Sequence, residues 1–129
     1  MQESMRAGPY GYGRHEIVSA LAGLGYTRYG DPAPGAGRIS PEELVACLIY
    51  SRDHRWISAV AVVLCRASID WDRMVRLAVD YGFPGTLRGM IEAVRSTGRD
   101  IGSPALDRLA AYEPVQPDDI RAVLDTYGC

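Results

Sequence analysis

The chain has few residues that could perform acid–base or metal chemistry, and these residues are not clustered. Its two histidines, His15 and His54, are 39 residues apart. A zinc site needs several His, Cys or carboxylate ligands at close spacing, and the sequence contains no such group. His15 is followed by Glu16 but lacks the second histidine of an H-E-x-x-H motif. We therefore predict no metal-binding residues.

The segment from Arg52 to Trp56 has the strongest concentration of polar chemistry. It reads Arg-Asp-His-Arg-Trp, so a carboxylate and two guanidinium groups stand beside the imidazole of His54. The segment lies at the start of a predicted helix, which is compatible with a binding or acid–base role. The alternative is an ordinary solvated helix start whose Trp56 packs onto the core.

Two glycine-bearing segments resemble parts of nucleotide-binding sites, but neither is complete. Gly35-Ala36-Gly37-Arg38 lacks the G-K-[ST] ending of a phosphate-binding loop. Gly102-Ser103, with acidic residues further along the chain, is similar to a nucleotidyltransferase motif, but no predicted sheet presents it. Ser103 is better used as a helix cap. We therefore predict no catalytic residues and no cofactor, and we expect that the protein is not an enzyme.

The charges favour a protein partner over nucleic acid. The 129 residues include 14 basic residues, all of them arginine, and 16 acidic ones, which gives a net charge of −2. A mildly acidic chain does not bind nucleic acid through bulk charge. On one predicted helix, two arginines lie three residues apart, away from the apolar stripe; a solvated helix face is the alternative. The residues that we predict to contact a partner rather than to stabilise the fold are Arg52, His54, Arg55, Arg73 and Arg76.

The three cysteines and the absence of a long apolar segment favour a cytoplasmic protein. Cys47 and Cys65 lie in apolar runs and are predicted to be small buried side chains, and Cys129 ends the chain. A reducing compartment suits all three thiols. No stretch approaches the roughly 20 apolar residues of a membrane span. Residues 1–6 do not resemble a signal segment. We predict a cytoplasmic location without membrane association.

Periodic apolar residues and helix-start signals predict an all-α fold. Residues 1–13 form a flexible tail rich in Gly and Tyr, and residues 14–129 form one compact helical domain. Segment 26–39, which contains a breaker-rich loop, is compatible with a short hairpin. The fourth helix has Asp70 as its cap, Gly82 as its end, and Trp71 on its buried stripe. We predict about six to seven helices: 14–24, 41–50, 54–67, 71–81, 84–97, one from Ser103 that carries Tyr112 inward, and one from Pro117 to Tyr127.

One part of the chain resembles a known class of proteins. The segments 39–45, 51–56, 69–73 and 81–84 are similar to the helical proteins found with prokaryotic nucleotidyltransferase genes in toxin–antitoxin-like pairs. The resemblance covers about residues 38–98 and lies in the succession of helices rather than in an invariant motif. It implies a non-catalytic partner or antitoxin role. We predict a protein partner or a homo-oligomer.

A second hypothesis is a DNA-binding regulator. The first two predicted helices, with Tyr26, Arg28, Tyr29 and the 30–39 loop, would then form a plain or winged helix-turn-helix. Glu42 and Glu43 at the start of the second helix disfavour contact with phosphate, so this function remains the alternative.

Overall fold

The computed structural model describes residues 6–7, 12–26, 39–50, 54–116 and 120–127. Within these ranges it confirms an all-helical bundle with one hydrophobic core. The elements are β1 (Arg6–Ala7), β2 (Tyr12–Gly13), α1 (Arg14–Gly23), α2 (Pro41–Tyr50), α3 (His54–Arg66), α4 (Trp71–Tyr81), α5 (Pro84–Arg95), α6 (Ser103–Leu109) and α7 (Ile120–Tyr127).

The segment predicted to be a tail contains a small antiparallel ladder. Arg6 pairs with Gly13 and Ala7 pairs with Tyr12, so β1 and β2 immediately precede α1. A two-residue ladder is too short to produce an alternating apolar pattern, which is why the sequence did not indicate it. The hairpin predicted within 26–39 falls on residues 27–38, which lie outside the described residues.

Helix α3 is the centre of the bundle, as its nearly uniform apolar sequence predicts. Residues 59–64 are at most 1% exposed, and Ser58 is fully buried. The helix packs against α2, α5 and α7. A helix that is apolar on all sides must be surrounded by other elements, and here three helices surround it.

The predicted helix starts and stops in the middle of the chain are confirmed. Ser40 and Glu43 form a capping box, in which the Glu43 N–H donates to Ser40 Oγ at 3.3 Å. Asp70 caps α4 by accepting from the Arg73 N–H at 3.2 Å. Gly82 ends α4 in the left-handed conformation, with φ of 80°. Each signal acts within one helical turn, so it can be recognised from the sequence alone.

Other local predictions need correction. The side chain of Trp71 packs against the core but is only half-buried; Trp71 is the first residue of α4 and lies at the N-terminal end of the apolar stripe. Gly102, with φ of 69°, precedes α6, and Ser103 is the first helical residue rather than the cap. Helix α6 ends at Leu109, so Tyr112 lies beyond it and is 37% exposed.

The prediction of three reduced cysteines is wrong for Cys65. This residue is buried at the end of α3 but is disulfide-bonded, whereas Cys47 is a buried free thiol. Cys129 lies outside the described residues. Spacing could not reveal the bond, because a disulfide depends on which residues the fold brings together. Within the described part of the chain, no helix is long and apolar enough to cross a bilayer.

Candidate functional site

The predicted partner-binding residues do not form one group in the structure. Arg52 lies outside the described residues. His54 and Arg55 form the first turn of α3, and their side chains also fall outside the described part. Arg73 and Arg76 lie on α4, where their side chains have very different surroundings. The role of all five residues in binding a partner stays a prediction.

Arg73 belongs to a polar network between the N-terminal ends of α2 and α4. Its Nη1 lies 3.3 Å from Glu42 Oε1 and 3.4 Å from Ser40 Oγ, and its Nη2 lies 3.5 Å from Glu43 Oε2. Glu42 is only 5% exposed, and its second oxygen accepts from the Asp70 N–H at 3.0 Å. We call Ser40, Glu42, Glu43, Asp70 and Arg73 the α2–α4 clasp.

The clasp explains why a charged side chain is buried at the start of α2. A buried carboxylate is tolerated only when its oxygens are hydrogen-bonded or paired, and both oxygens of Glu42 have such partners. Arg73 thus makes structural contacts that the sequence did not indicate, and the prediction that it matters for a partner rather than for stability stays a prediction. Its partners lie 30 to 33 residues earlier in the chain, beyond the reach of any helical spacing rule.

Arg76 lies one turn further along α4 and takes part in no comparable network. Arg76 and Asp80 are exposed, and Val79 between them is 49% exposed. Helical spacing of three and four residues places the three side chains on one face. Among the described residues, the side chains of Arg76 and Asp80 have no hydrogen bond or ion pair. We call Arg76, Val79 and Asp80 the α4 outer patch.

On α3 to α6, Arg76 is the one arginine with a described side chain that lacks a hydrogen bond or an ion pair; the exposed Arg99, between α5 and α6, and Arg121, on α7, lack one as well. Arg88 donates from Nη1 to Tyr112 O at 2.6 Å, and Arg95 donates from Nη1 to Asp100 Oδ1 at 2.9 Å. Arg66 donates to Leu24 O at 3.0 Å, and Arg108 pairs with Asp72. Arginine side chains described on these helices thus take structural contacts, and Arg76 is the exception among them.

A second feature, which sequence reasoning missed, is the segment 110–116 that follows α6 and lies along α5. The Val115 N–H donates to Gly85 O at 3.0 Å, and Gln116 Nε2 donates to Gly89 O at 2.9 Å. A Cβ atom on Gly89 would collide with Val115 O, so the close approach requires glycine there. The spacing of Gly85 and Gly89, one turn apart on a helix, was the signal that could have indicated this contact.

A cleft of about 420 Å³ lies where the end of α1 meets the start of α2 and the end of α3. Its lining is mainly apolar, with Leu24, Ile39 and Leu44 among its members, and Arg66 and Ser68 supply the polar groups. The described residues that line it include no acid–base pair. Among the described residues, no group of three or more His, Cys, Asp or Glu side chains is placed to hold a metal ion.

Comparison with known proteins does not extend these observations. No protein-family model, curated protein or solved structure matches the chain. The resemblance to antitoxin-like helical proteins stays a prediction.

Proposed function

We propose that this chain is a non-catalytic helical interaction module that binds a protein partner through the α4 outer patch. The observation that carries the proposal is Arg76, an exposed guanidinium without an ion pair among the described residues, next to the exposed Val79. Arginine provides charge and a planar surface together and is enriched among the residues that dominate binding energies. The matching partner surface carries a carboxylate beside an apolar side chain.

The biological role that we propose is antitoxin-like or regulatory. It rests on the resemblance of residues 38–98 to helical antitoxin-like proteins. Arg52, His54 and Arg55 belong to the same proposal as additional contacts at the start of α3. We include a prokaryotic, cytoplasmic setting without a cofactor in the same proposal. The Cys65 disulfide is the observation against this location, because disulfides are rare in the cytosol.

The alternative of a helix-turn-helix regulator has less support. A recognition helix must expose one face to the major groove. In α2, Glu42 and residues 44–49 are all buried, and no basic residue occurs between Pro41 and Tyr50. These observations favour a protein partner over DNA.

Photocrosslinking tests the proposed face directly. A benzophenone amino acid replaces Val79 in one variant and the exposed Asp107 of α6 in a matched control. After irradiation in native lysate, we expect a protein adduct at position 79 that is absent from the control and is lost when Arg76→Glu is added. Mass spectrometry of the adduct identifies the partner. Equal adducts at both positions, or an adduct insensitive to Arg76→Glu, would exclude this face.

Counting thiols tests the cytoplasmic part of the proposal. Disulfides persist in oxidising compartments and are rare in the cytosol. Protein from its native host is alkylated in denaturant without reductant and then weighed by mass spectrometry. Three alkyl groups indicate that all cysteines were reduced, as a cytoplasmic location requires. A single alkyl group indicates that the Cys65 disulfide exists in the cell and contradicts that location.

A further inference from the structure

The α4 outer patch has charges that can pair with a second copy of itself. Arg76 and Asp80 have opposite charges and lie about 6 Å apart along the helix axis. They are four residues apart on one exposed face, yet no ion pair joins them. Val79 lies on the same face, with half of its side chain exposed. The patch therefore carries a positive group at one end and, about one turn further along the helix, an apolar group next to a negative group.

Two α4 helices packed in antiparallel orientation satisfy both charges at once. When a two-fold axis passes at the level of Ala78, Arg76 of each copy lies opposite Asp80 of the other. The two Val79 side chains then lie about 3 Å apart along the helix axis, close enough to pack together. A parallel arrangement in register would instead place Arg76 opposite Arg76. Only the antiparallel pairing is complementary.

We propose that a second copy of this chain binds the α4 outer patch and forms an antiparallel two-fold dimer. The inference rests on the proposed interaction function and names a partner for the same face. An isologous contact of this kind is the commonest form of homo-oligomer. It forms two equivalent Arg76–Asp80 ion pairs around a centre made by the two Val79 side chains.

The neighbouring charges of α4 do not oppose this arrangement. Arg73 is held by Glu42 and Glu43 in the clasp, and Asp72 pairs with Arg108. With the axis at Ala78, Asp72 lies beyond the end of α4 in the second copy, because that helix ends at Tyr81. A contact limited to an 11-residue helix is expected to bury less than about 1,200 Å² in total, the size of transient complexes. The dimer should therefore dissociate on dilution.

Charge reversal at the two ends of the patch gives a sharp test. Sedimentation equilibrium of the purified chain over a wide concentration range measures the dimer dissociation constant. Arg76→Asp places a second carboxylate opposite Asp80, and Asp80→Arg places two arginines together. We expect each single variant to weaken self-association on the order of tenfold or more, because like charges would then face each other.

Mixing the two single variants should restore association. In the mixed dimer, every acidic side chain of one chain faces an arginine of the other. The double variant Arg76→Asp/Asp80→Arg should also self-associate, because both charges have exchanged places. Arg121→Asp, which reverses an exposed charge on α7, is the matched control and should leave the dissociation constant unchanged. Circular dichroism of each variant checks that it is folded. Val79→Glu, which places a charge where the two Val79 side chains meet, should weaken self-association independently.

Three results would overturn the inference: a monomer at every concentration, a dimer insensitive to the single reversals, or no recovery on mixing. None of them removes the proposed interaction function. That proposal fails only when the crosslinker at position 79 captures no protein dependent on Arg76 in native lysate. The two failures are therefore distinguishable.

Discussion

Arg73 and Arg76 lie three residues apart on α4, and the sequence treats them as equivalent. In the structure Arg73 contacts Ser40, Glu42 and Glu43, whereas Arg76 contacts no charged group among the described residues. One arginine holds the starts of two helices together, and the other lies in solvent beside Val79. A position away from the apolar stripe therefore does not by itself mark a binding residue. The contacts of the guanidinium distinguish a structural arginine from one available to a partner.

The largest effect should come from the inner face of the same helix. Met74 is fully buried, and Met74→Ala is expected to lower the free energy of unfolding by about 2–5 kcal/mol, because the lost contacts leave a cavity. Truncation of a fully buried tryptophan costs about 3–5 kcal/mol. We expect Trp71→Ala to lower the free energy of unfolding by less than that. Urea denaturation measures both values. A larger loss for Trp71 than for Met74 would mean that the half-buried indole matters more than its exposure indicates.

The next effect should come from the buried acid of the clasp. Glu42→Ala leaves the Asp70 N–H and the Arg73 guanidinium without their acceptor, so we expect a loss of about 1–3 kcal/mol. Glu92→Ala is the matched control: it removes an exposed i, i+4 pair with Arg88, worth only about 0.2–0.5 kcal/mol. If urea denaturation gave equal losses of unfolding free energy for the two variants, the buried Glu42 would stabilise the protein no more than an exposed ion pair does.

A smaller loss of stability is expected from Arg73→Glu. The new carboxylate faces Glu42 and Glu43 instead of pairing with them, and we expect a cost of about 1–2 kcal/mol because Arg73 itself is 42% exposed. The free energy of unfolding of Arg73→Gln should lie between those of Arg73→Glu and the natural chain. Thermal and urea unfolding provide the measurement. Unchanged stability would show that the contacts of Arg73 do not stabilise the fold.

The smallest effect on stability should come from Arg76→Glu. The Arg76 side chain has no hydrogen bond or ion pair among the described residues, so the free energy of unfolding should change by no more than about 0.5 kcal/mol. Its effect should appear in binding instead, as loss of the adduct at position 79. A stability loss comparable to that of Arg73→Glu would contradict the distinction between the two arginines.

Local features of the fold could be predicted because their physical causes act within one or two helical turns. The capping box of Ser40 and Glu43, the Asp70 cap and the Gly82 stop each depend on neighbouring backbone groups. The apolar run in α3 predicts a central helix, since such a surface must be covered on all sides. The all-α class followed from these signals together.

The candidate site could be predicted only in part. The sequence identified α4 as a helix with two arginines away from its core face. It could not show that Glu42, 31 residues earlier, would meet Arg73. Nor could it show that 110–116 would lie along Gly85 and Gly89, or that Cys65 would be disulfide-bonded. Each of these depends on where separate elements come together.

The sequence by itself thus determined the central helices, the caps of α2 and α4 and the central position of α3, because backbone hydrogen bonding and apolar periodicity are local. Only the tertiary structure decided which charged side chains make contacts within the fold. Packing brings the start of α2 against the start of α4, so Arg73 finds two carboxylates within 3.5 Å. One turn later the described residues offer the Arg76 side chain no hydrogen bond or ion pair, and it stays exposed with Val79 and Asp80.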